Sequence, residues 1–134
     1  MKKILLLFLT IGVLTSCSSD DDNSSEDNTT SAKITLQNSN GDPQSGIIVY
    51  AYNETTWQVI GDDPFFADFQ VASGNNGNAK FSNLTTDATF SELNNFTQTY
   101  RFSVHYTLNG TDKTKVKAIS FNLGDHKSET IILD

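Results

Sequence analysis

Alternation of apolar and polar side chains dominates the chain from Ala32 onward, and no stretch keeps a helical period for long. Ile34 and Leu36 alternate with Lys33, Thr35 and Gln37, which predicts a strand with one buried face. The turn signal Asn38-Ser39-Asn40-Gly41-Asp42-Pro43 follows. Residues 46–53 (GIIVYAYN) are almost continuously apolar or aromatic, as expected of a central strand with both faces at least partly covered. Residues 56–60, around Trp57 and Val59, read as a further short strand. Residues 69–73 and 79–84 flank Gly74-Asn75-Asn76-Gly77-Asn78, a run that tolerates positive φ, so a hairpin is expected there.

The clearest strand is 99–108. Tyr100, Phe102, Val104, Tyr106 and Leu108 face one way, and Arg101, Ser103, His105 and Thr107 the other. Asn109-Gly110 then predicts a hairpin into residues 115–123. Lys115 and Lys117 share the parity of Ile119, Phe121 and Leu123, which predicts an edge strand or a bulge near Lys117 or Ala118. Residues 129–133 make a last strand. Residues 89–96, with Phe90, Leu93 and Phe96, fit either a short helical turn or a packed loop. About seven short strands separated by turn residues predict an all-β fold, a single two-sheet antiparallel β-sandwich over 32–134.

The order of these signals resembles the transthyretin-like group of immunoglobulin-like sandwiches, which includes carboxypeptidase regulatory-like and Cna-B-like domains. The resemblance is carried by Ile34-Thr35-Leu36, by Asn40-Gly41-Asp42-Pro43 with Gly46, and by the apolar strand that follows. Asn76-Gly77-Asn78-Ala79-Lys80-Phe81 with Leu84, and Tyr100-Arg101-Phe102-Ser103-Val104, complete it. These are turn and alternation signals, so the resemblance implies a fold and little about function. Some Cna-B-like domains form a Lys–Asn or Lys–Asp isopeptide bond. The lysine position falls at Leu36 here, with Lys33 on the outward parity, so no cross-link is expected even though Asn122 and Glu92 could be nominated as partners.

Ahead of the domain, Met1-Lys2-Lys3 and an apolar run over 4–14 lead into Leu14-Thr15-Ser16-Cys17. A cationic start, an apolar stretch and small residues make a secretory signal peptide over 1–16. The junction resembles a bacterial lipobox, which implies acylation of Cys17, a palmitate-type anchor. Ser19-Asp20-Asp21-Asp22 resembles the export signal of surface-exposed Bacteroidetes lipoproteins, which implies outer-membrane attachment with the domain facing the medium. Residues 18–31 hold no apolar side chain, so 17–31 is expected to be a disordered acidic tether, reaching at most about 50 Å.

Charge narrows the partners. Sixteen acidic residues against nine basic give a formal net charge of −7, and loss of Lys2 and Lys3 would make the balance more acidic. A nucleic-acid partner needs a concentrated cationic face, so none is expected. Electrostatic adhesion to an anionic bilayer is disfavoured on the same ground, leaving the lipid as the membrane contact. Cys17 is the sole cysteine, so the domain holds no disulfide.

Few residues suggest chemistry. His105 and His126 stand apart in sequence, whereas zinc needs three or four converging donors. His105 is expected to face solvent and His126 to lie in a polar turn. No G-x-S-x-G turn or catalytic thiol is present. Asp62, Asp63 and Asp68 bracket Pro64-Phe65-Phe66 and are the only weak metal candidates, for Ca²⁺ or for a metal-dependent hydrolase. Trp57, Phe65, Phe66 and Phe69 either plug the open end of the sandwich or form an aromatic binding surface. Six Asn-x-Ser/Thr sequons read as composition in an Asn-rich chain. The expected function is that of a non-enzymatic, cofactor-free surface lipoprotein, acting as a binding, adhesion or accessory module for a protein or glycan. The alternatives are a glycan-binding component of a polysaccharide uptake system and a structural subunit of an outer-membrane complex.

Overall fold

A computed structural model describes residues 29–84 and 97–134 of the 134-residue chain. Cys17, Ser19, Asp20, Asp21 and Asp22 lie outside the described residues, as do Glu92 and the 89–96 segment. Seven strands are described, β1 (Ser31–Asn38), β2 (Ile48–Asn53), β3 (Phe69–Ala72), β4 (Asn78–Ser82), β5 (Gln98–Leu108), β6 (Thr111–Phe121) and β7 (His126–Leu133). They form a three-stranded sheet in the order β4-β1-β7 and a four-stranded sheet in the order β3-β2-β5-β6. The fold is the expected two-sheet β-sandwich.

The alternating residues meet between the sheets. Ile34 and Leu36 of β1, Ala79 and Phe81 of β4, and Ile131 and Leu133 of β7 are buried. They pack against Val49 and Ala51 of β2, Tyr100, Phe102 and Val104 of β5, and Ile119 and Phe121 of β6. Aromatic rings carry the centre, with Phe81 and Phe102 5.2 Å apart across the sheets and Tyr100 6.0 Å from Phe121, both edge-on. Burial of such rings is the main stabilising term in a domain without disulfides.

Four details differ from the sequence expectation. Residues 56–60 are not a strand; they belong to a helix, α1 (Glu54–Ile60). The side chain of Asn53 caps it by accepting the Thr56 N–H at 2.8 Å, and Gly61, with φ 76°, closes it by donating to the Trp57 carbonyl. Trp57 and Val59 would share a face of a strand but lie about 200° apart around a helix, so only Trp57 turns inward. The Gly74–Asn78 turn does not close a hairpin either. β3 and β4 belong to different sheets, and the turn carries the chain between them. Gly77 has φ 78°, and a Cβ there would lie 2.5 Å from the Leu36 carbonyl oxygen, so that close approach requires glycine.

The third difference is that β1 and β7 pair in parallel, Ser31↔His126 through Asn38↔Leu133, within an otherwise antiparallel fold. The fourth is the start of the domain. β1 begins at Ser31, and Thr30 before it is buried, accepting the Gly124 N–H on Oγ1 at 3.0 Å. Of the two readings offered for β6, the edge strand holds, and its register with β5 is unbroken from Gln98↔Phe121 to Leu108↔Thr111. Its inward-parity lysines reach β7 and the residue after it at the rim of the sandwich. Lys117 pairs with Glu129 at 3.6 Å, Lys115 with the Asp134 carboxylate, and Lys113 donates to the Asp134 carbonyl at 3.0 Å. Charged residues pointing inward on an edge strand are a known guard against edge-to-edge pairing.

Candidate functional site

The outer face of the four-stranded sheet carries the only helix among the described residues and the largest exposed apolar side chains. On β2 and β5 the outward positions are Tyr50 and Tyr52, and Arg101, Ser103 and His105. α1 packs over β2 and β5, and both Tyr52 and Ser103 are fully buried.

Two polar ties hold that cover down. Arg101 reaches Glu54 of α1 through Nε at 3.1 Å and a second guanidinium nitrogen at 3.2 Å. This two-pronged geometry, with the Gln58 amide also donating to Glu54 at 3.0 Å, holds the Glu54 carboxyl below the usual carboxylate range. The Arg101 guanidinium also sits 5.3 Å from the centre of the Trp57 ring, whose other contact is the edge of Tyr52 at 5.4 Å. The second tie is Asp62. Its Oδ2 accepts from Ser103 Oγ at 2.8 Å and lies 3.1 Å from His105 Nε2. Its Oδ1 and the Tyr52 hydroxyl are both buried without a full hydrogen bond. Burial, followed by the neighbouring Asp62 carboxylate, pushes the Tyr52 hydroxyl well above the usual tyrosine range.

Ser103, His105 and Asp62 therefore come together, although they stand apart in the sequence; His105 is exposed on the outward face of β5, as expected, with Asp62 at its edge. Their order is wrong for nucleophilic catalysis. In a Ser-His-Asp triad the imidazole stands between hydroxyl and carboxylate. Here the carboxylate stands between the other two, and the hydroxyl is sealed from solvent. The arrangement is a latch. Beside it, an open depression of ≈ 420 Å³ is lined by Ile48, Tyr50, His105 and Thr107 among others.

The three loop carboxylates go to separate partners. Asp62 serves the latch. Asp63 caps the 3₁₀ turn Pro64–Phe66 by accepting the Phe65 N–H at 3.0 Å. Asp68 accepts the Asn53 N–H at 2.7 Å and the Thr56 hydroxyl at 3.2 Å, steering the chain into α1. Among the described residues no three His, Cys, Asp or Glu side chains are grouped to share a metal ion.

The four aromatic candidates divide. Phe69 packs on the core, 6.3 Å from Tyr100, and Trp57 is half-buried between Tyr52 and Arg101. Phe65 and Phe66 are different, at 86% and 48% exposed. Their rings meet edge to face, 5.0 Å apart at 82°, and touch no core residue in an aromatic contact. Val59 (79% exposed) and Ile60 (39%), at the end of α1, are also exposed. Residues 59 and 60 were hidden by the expectation of a strand. The cap signal Asn53-Glu54, closed by Gly61, was the clue that would have revealed them.

The remaining expectations find simple places. Leu36 is buried and Lys33 exposed on β1, while Asn122 accepts from the Thr97 hydroxyl at 3.0 Å. His126 begins β7 and its Nδ1 lies 2.6 Å from Ser31 Oγ. No helix among the described residues is long and apolar enough to cross a membrane.

No protein-family model matches the chain, and no curated protein matches it. Among solved structures it is similar to a 9R-lipoxygenase from Cyanothece PCC8801, at 10% identity over 87% of this chain and 18% of that one, with a TM-score of 0.34. The chain thus spans less than a fifth of that protein, and a likeness this slight carries no argument about fold or activity.

Proposed function

We propose that the protein is a non-enzymatic, lipid-anchored module at the outer membrane that binds a partner protein through α1 and the Pro64–Phe66 turn. The observation that carries the reading is the exposure of Phe65 and Phe66, with Val59 and Ile60, on a short segment whose inner side covers Tyr52 and Ser103. Exposed large apolar side chains gathered in eight residues are costly to leave in water, and buried aromatic anchors dominate the binding energy of protein interfaces. Two ties, Arg101–Glu54 and the Asp62 latch, hold that segment in place before any partner arrives. Such preorganisation raises affinity by lowering the ordering cost of association. A lipid on Cys17 and the acidic tether would present the surface at a distance from the membrane.

The glycan reading is the weaker one. A sugar stacks on a flat, open ring face, yet Phe65 and Phe66 stand at 82° to each other and Trp57 is covered by Arg101. The test is a photo-crosslinking residue placed at position 65 in intact cells. A discrete crosslinked protein, lost in an Ile60→Ser/Phe66→Ala background, is the expected result. An identical adduct in that background, or retention on a glycan matrix abolished by Phe65→Ala, would replace the protein reading. Labelled palmitate should enter the wild-type chain and not Cys17→Ser.

A further inference from the structure

The opposite side of the sandwich, the outer face of the β4-β1-β7 sheet, carries a second and chemically different feature. The register places its outward side chains in rows across the three strands. Ser82, Ser31 and His126 form one row, and Lys80, Lys33 and Ser128 the next. Lys33 and Lys80 are directly opposed, an arrangement of like charges that destabilises a sheet. A groove of ≈ 260 Å³ runs over these two rows.

The two lysines are exceptional within this protein. The domain has seven basic residues, and five are engaged. Arg101, Lys115, Lys117 and Lys127 pair with carboxylates, and Lys113 donates to the Asp134 carbonyl. Among the described residues, Lys33 and Lys80 alone of the seven have no ion pair or hydrogen bond through the side chain. Among the described residues the hydroxyls of Ser82 and Ser128 are equally unengaged, whereas the next row is closed on itself by the Thr35–Asn78 bond of 2.8 Å. Neither row holds an acidic residue, in a chain with sixteen of them. Asp125, just before His126, is turned to the Asn122 N–H at 2.8 Å and to Lys127.

We infer that this groove is a binding site for an oxyanion, with Lys33 and Lys80 supplying the charge and Ser82, Ser128 and the Ser31–His126 pair supplying hydrogen-bond donors. An anion between the two ammonium groups converts their repulsion into attraction, and charge-assisted hydrogen bonds are the strong ones. The Ser31–His126 pair has a donor to give in either tautomer. When the Ser31 hydroxyl donates to Nδ1, Nε2 carries the free N–H; when Nδ1 donates, the Ser31 hydroxyl is free. Two lysines are too few to follow a nucleic-acid backbone, so the ligand is a single sulfate, phosphate or carboxylate group, free or carried on a larger molecule. The site lies on the other sheet from α1 and does not depend on the partner-protein reading.

The test is an NMR titration of the ¹⁵N-labelled full chain with sulfate, phosphate and glucuronate, against chloride at equal ionic strength. Those three ligands separate sulfate-ester, phosphate-ester and uronic-acid sources. Saturable amide shifts confined to the two rows are expected with at least one of them. Lys33→Gln with Lys80→Gln should weaken that binding about tenfold or more. The double variant should melt no lower than the wild type in anion-free buffer, because it removes a repulsion. If it fails to fold, Lys80→Gln alone must weaken binding. Equal shifts in chloride, or binding undiminished by the substitutions, would overturn the assignment.

Discussion

Replacing Asp62 with alanine removes the acceptor that joins the helical cover to the sheet. Ser103 is completely buried and its hydroxyl donates to Asp62 Oδ2 at 2.8 Å. A buried donor left without an acceptor costs about 1–3 kcal/mol. The His105 contact at 3.1 Å involves side chains 40% and 21% exposed, so solvent screening holds its share below about 1 kcal/mol. Together these predict a loss of about 2–3 kcal/mol, a large fraction of a usual domain stability of about 5–15 kcal/mol. If the loop lifts and water reaches Ser103, the loss shrinks while α1 loosens, and Trp57 reports it because it is the sole tryptophan. Urea unfolding followed by circular dichroism measures the first effect, and Trp57 emission in native buffer the second. Ser103→Ala in the Asp62→Ala background should restore about 1 kcal/mol, since no orphaned hydroxyl then remains. A loss under about 0.5 kcal/mol with unchanged Trp57 emission would refute the latch.

Other positions test other links. Gly77→Ala must combine a positive φ with a Cβ 2.5 Å from the Leu36 carbonyl oxygen, and a loss of about 3 kcal/mol or more in denaturant unfolding is expected. A loss below about 1 kcal/mol would show that the inter-sheet turn yields easily. The Tyr52 hydroxyl is raised above its unfolded value, so its contribution is complete below about pH 10 and lost as pH climbs toward the raised pKa. Alkaline absorbance titration should show a late tyrosine component that Tyr52→Phe removes; an ordinary titration curve for all tyrosines contradicts this. The hydrogen bond from Lys115 holds the Asp134 carboxyl below its usual range, so the pair helps above the unfolded carboxyl pKa and its help is lost as pH falls through the lowered one. Carbon-detected NMR should find that midpoint moving up in Lys115→Gln and in high salt, because both groups are exposed to solvent.

Much of the fold was legible because strand alternation is a local signal. Tyr100, Phe102 and Val104 had to share a face whatever surrounded them, and Asn109-Gly110 had to turn back at once. The α1 segment was misread because five residues around Trp57 and Val59 satisfy a period of two by chance, while its cap at Asn53 is stabilised from fifteen residues away by Asp68. The Gly74–Asn78 turn was recognised as a turn, but its chemistry is the same whether the next strand joins its own sheet or the other one. The lysines at 115 and 117 announced an edge. That their partners would be Glu129 on the last strand and Asp134 just after it was beyond any local pattern.

The candidate surfaces divide along the same line. Aromatic residues at 57, 65, 66 and 69 could be named from the chain, and packing alone separated the two that serve the fold from the two that face water. Alternation, turn chemistry and composition by themselves determined an all-β domain with an apolar seam, since each depends on neighbours a few residues apart. Only the tertiary structure set β1 parallel to β7, opposed Lys33 to Lys80, and closed Asp62 over Ser103 and His105. Those outcomes rest on which strands pair and in what register, and that choice is made by burial summed over the whole domain rather than by any local segment.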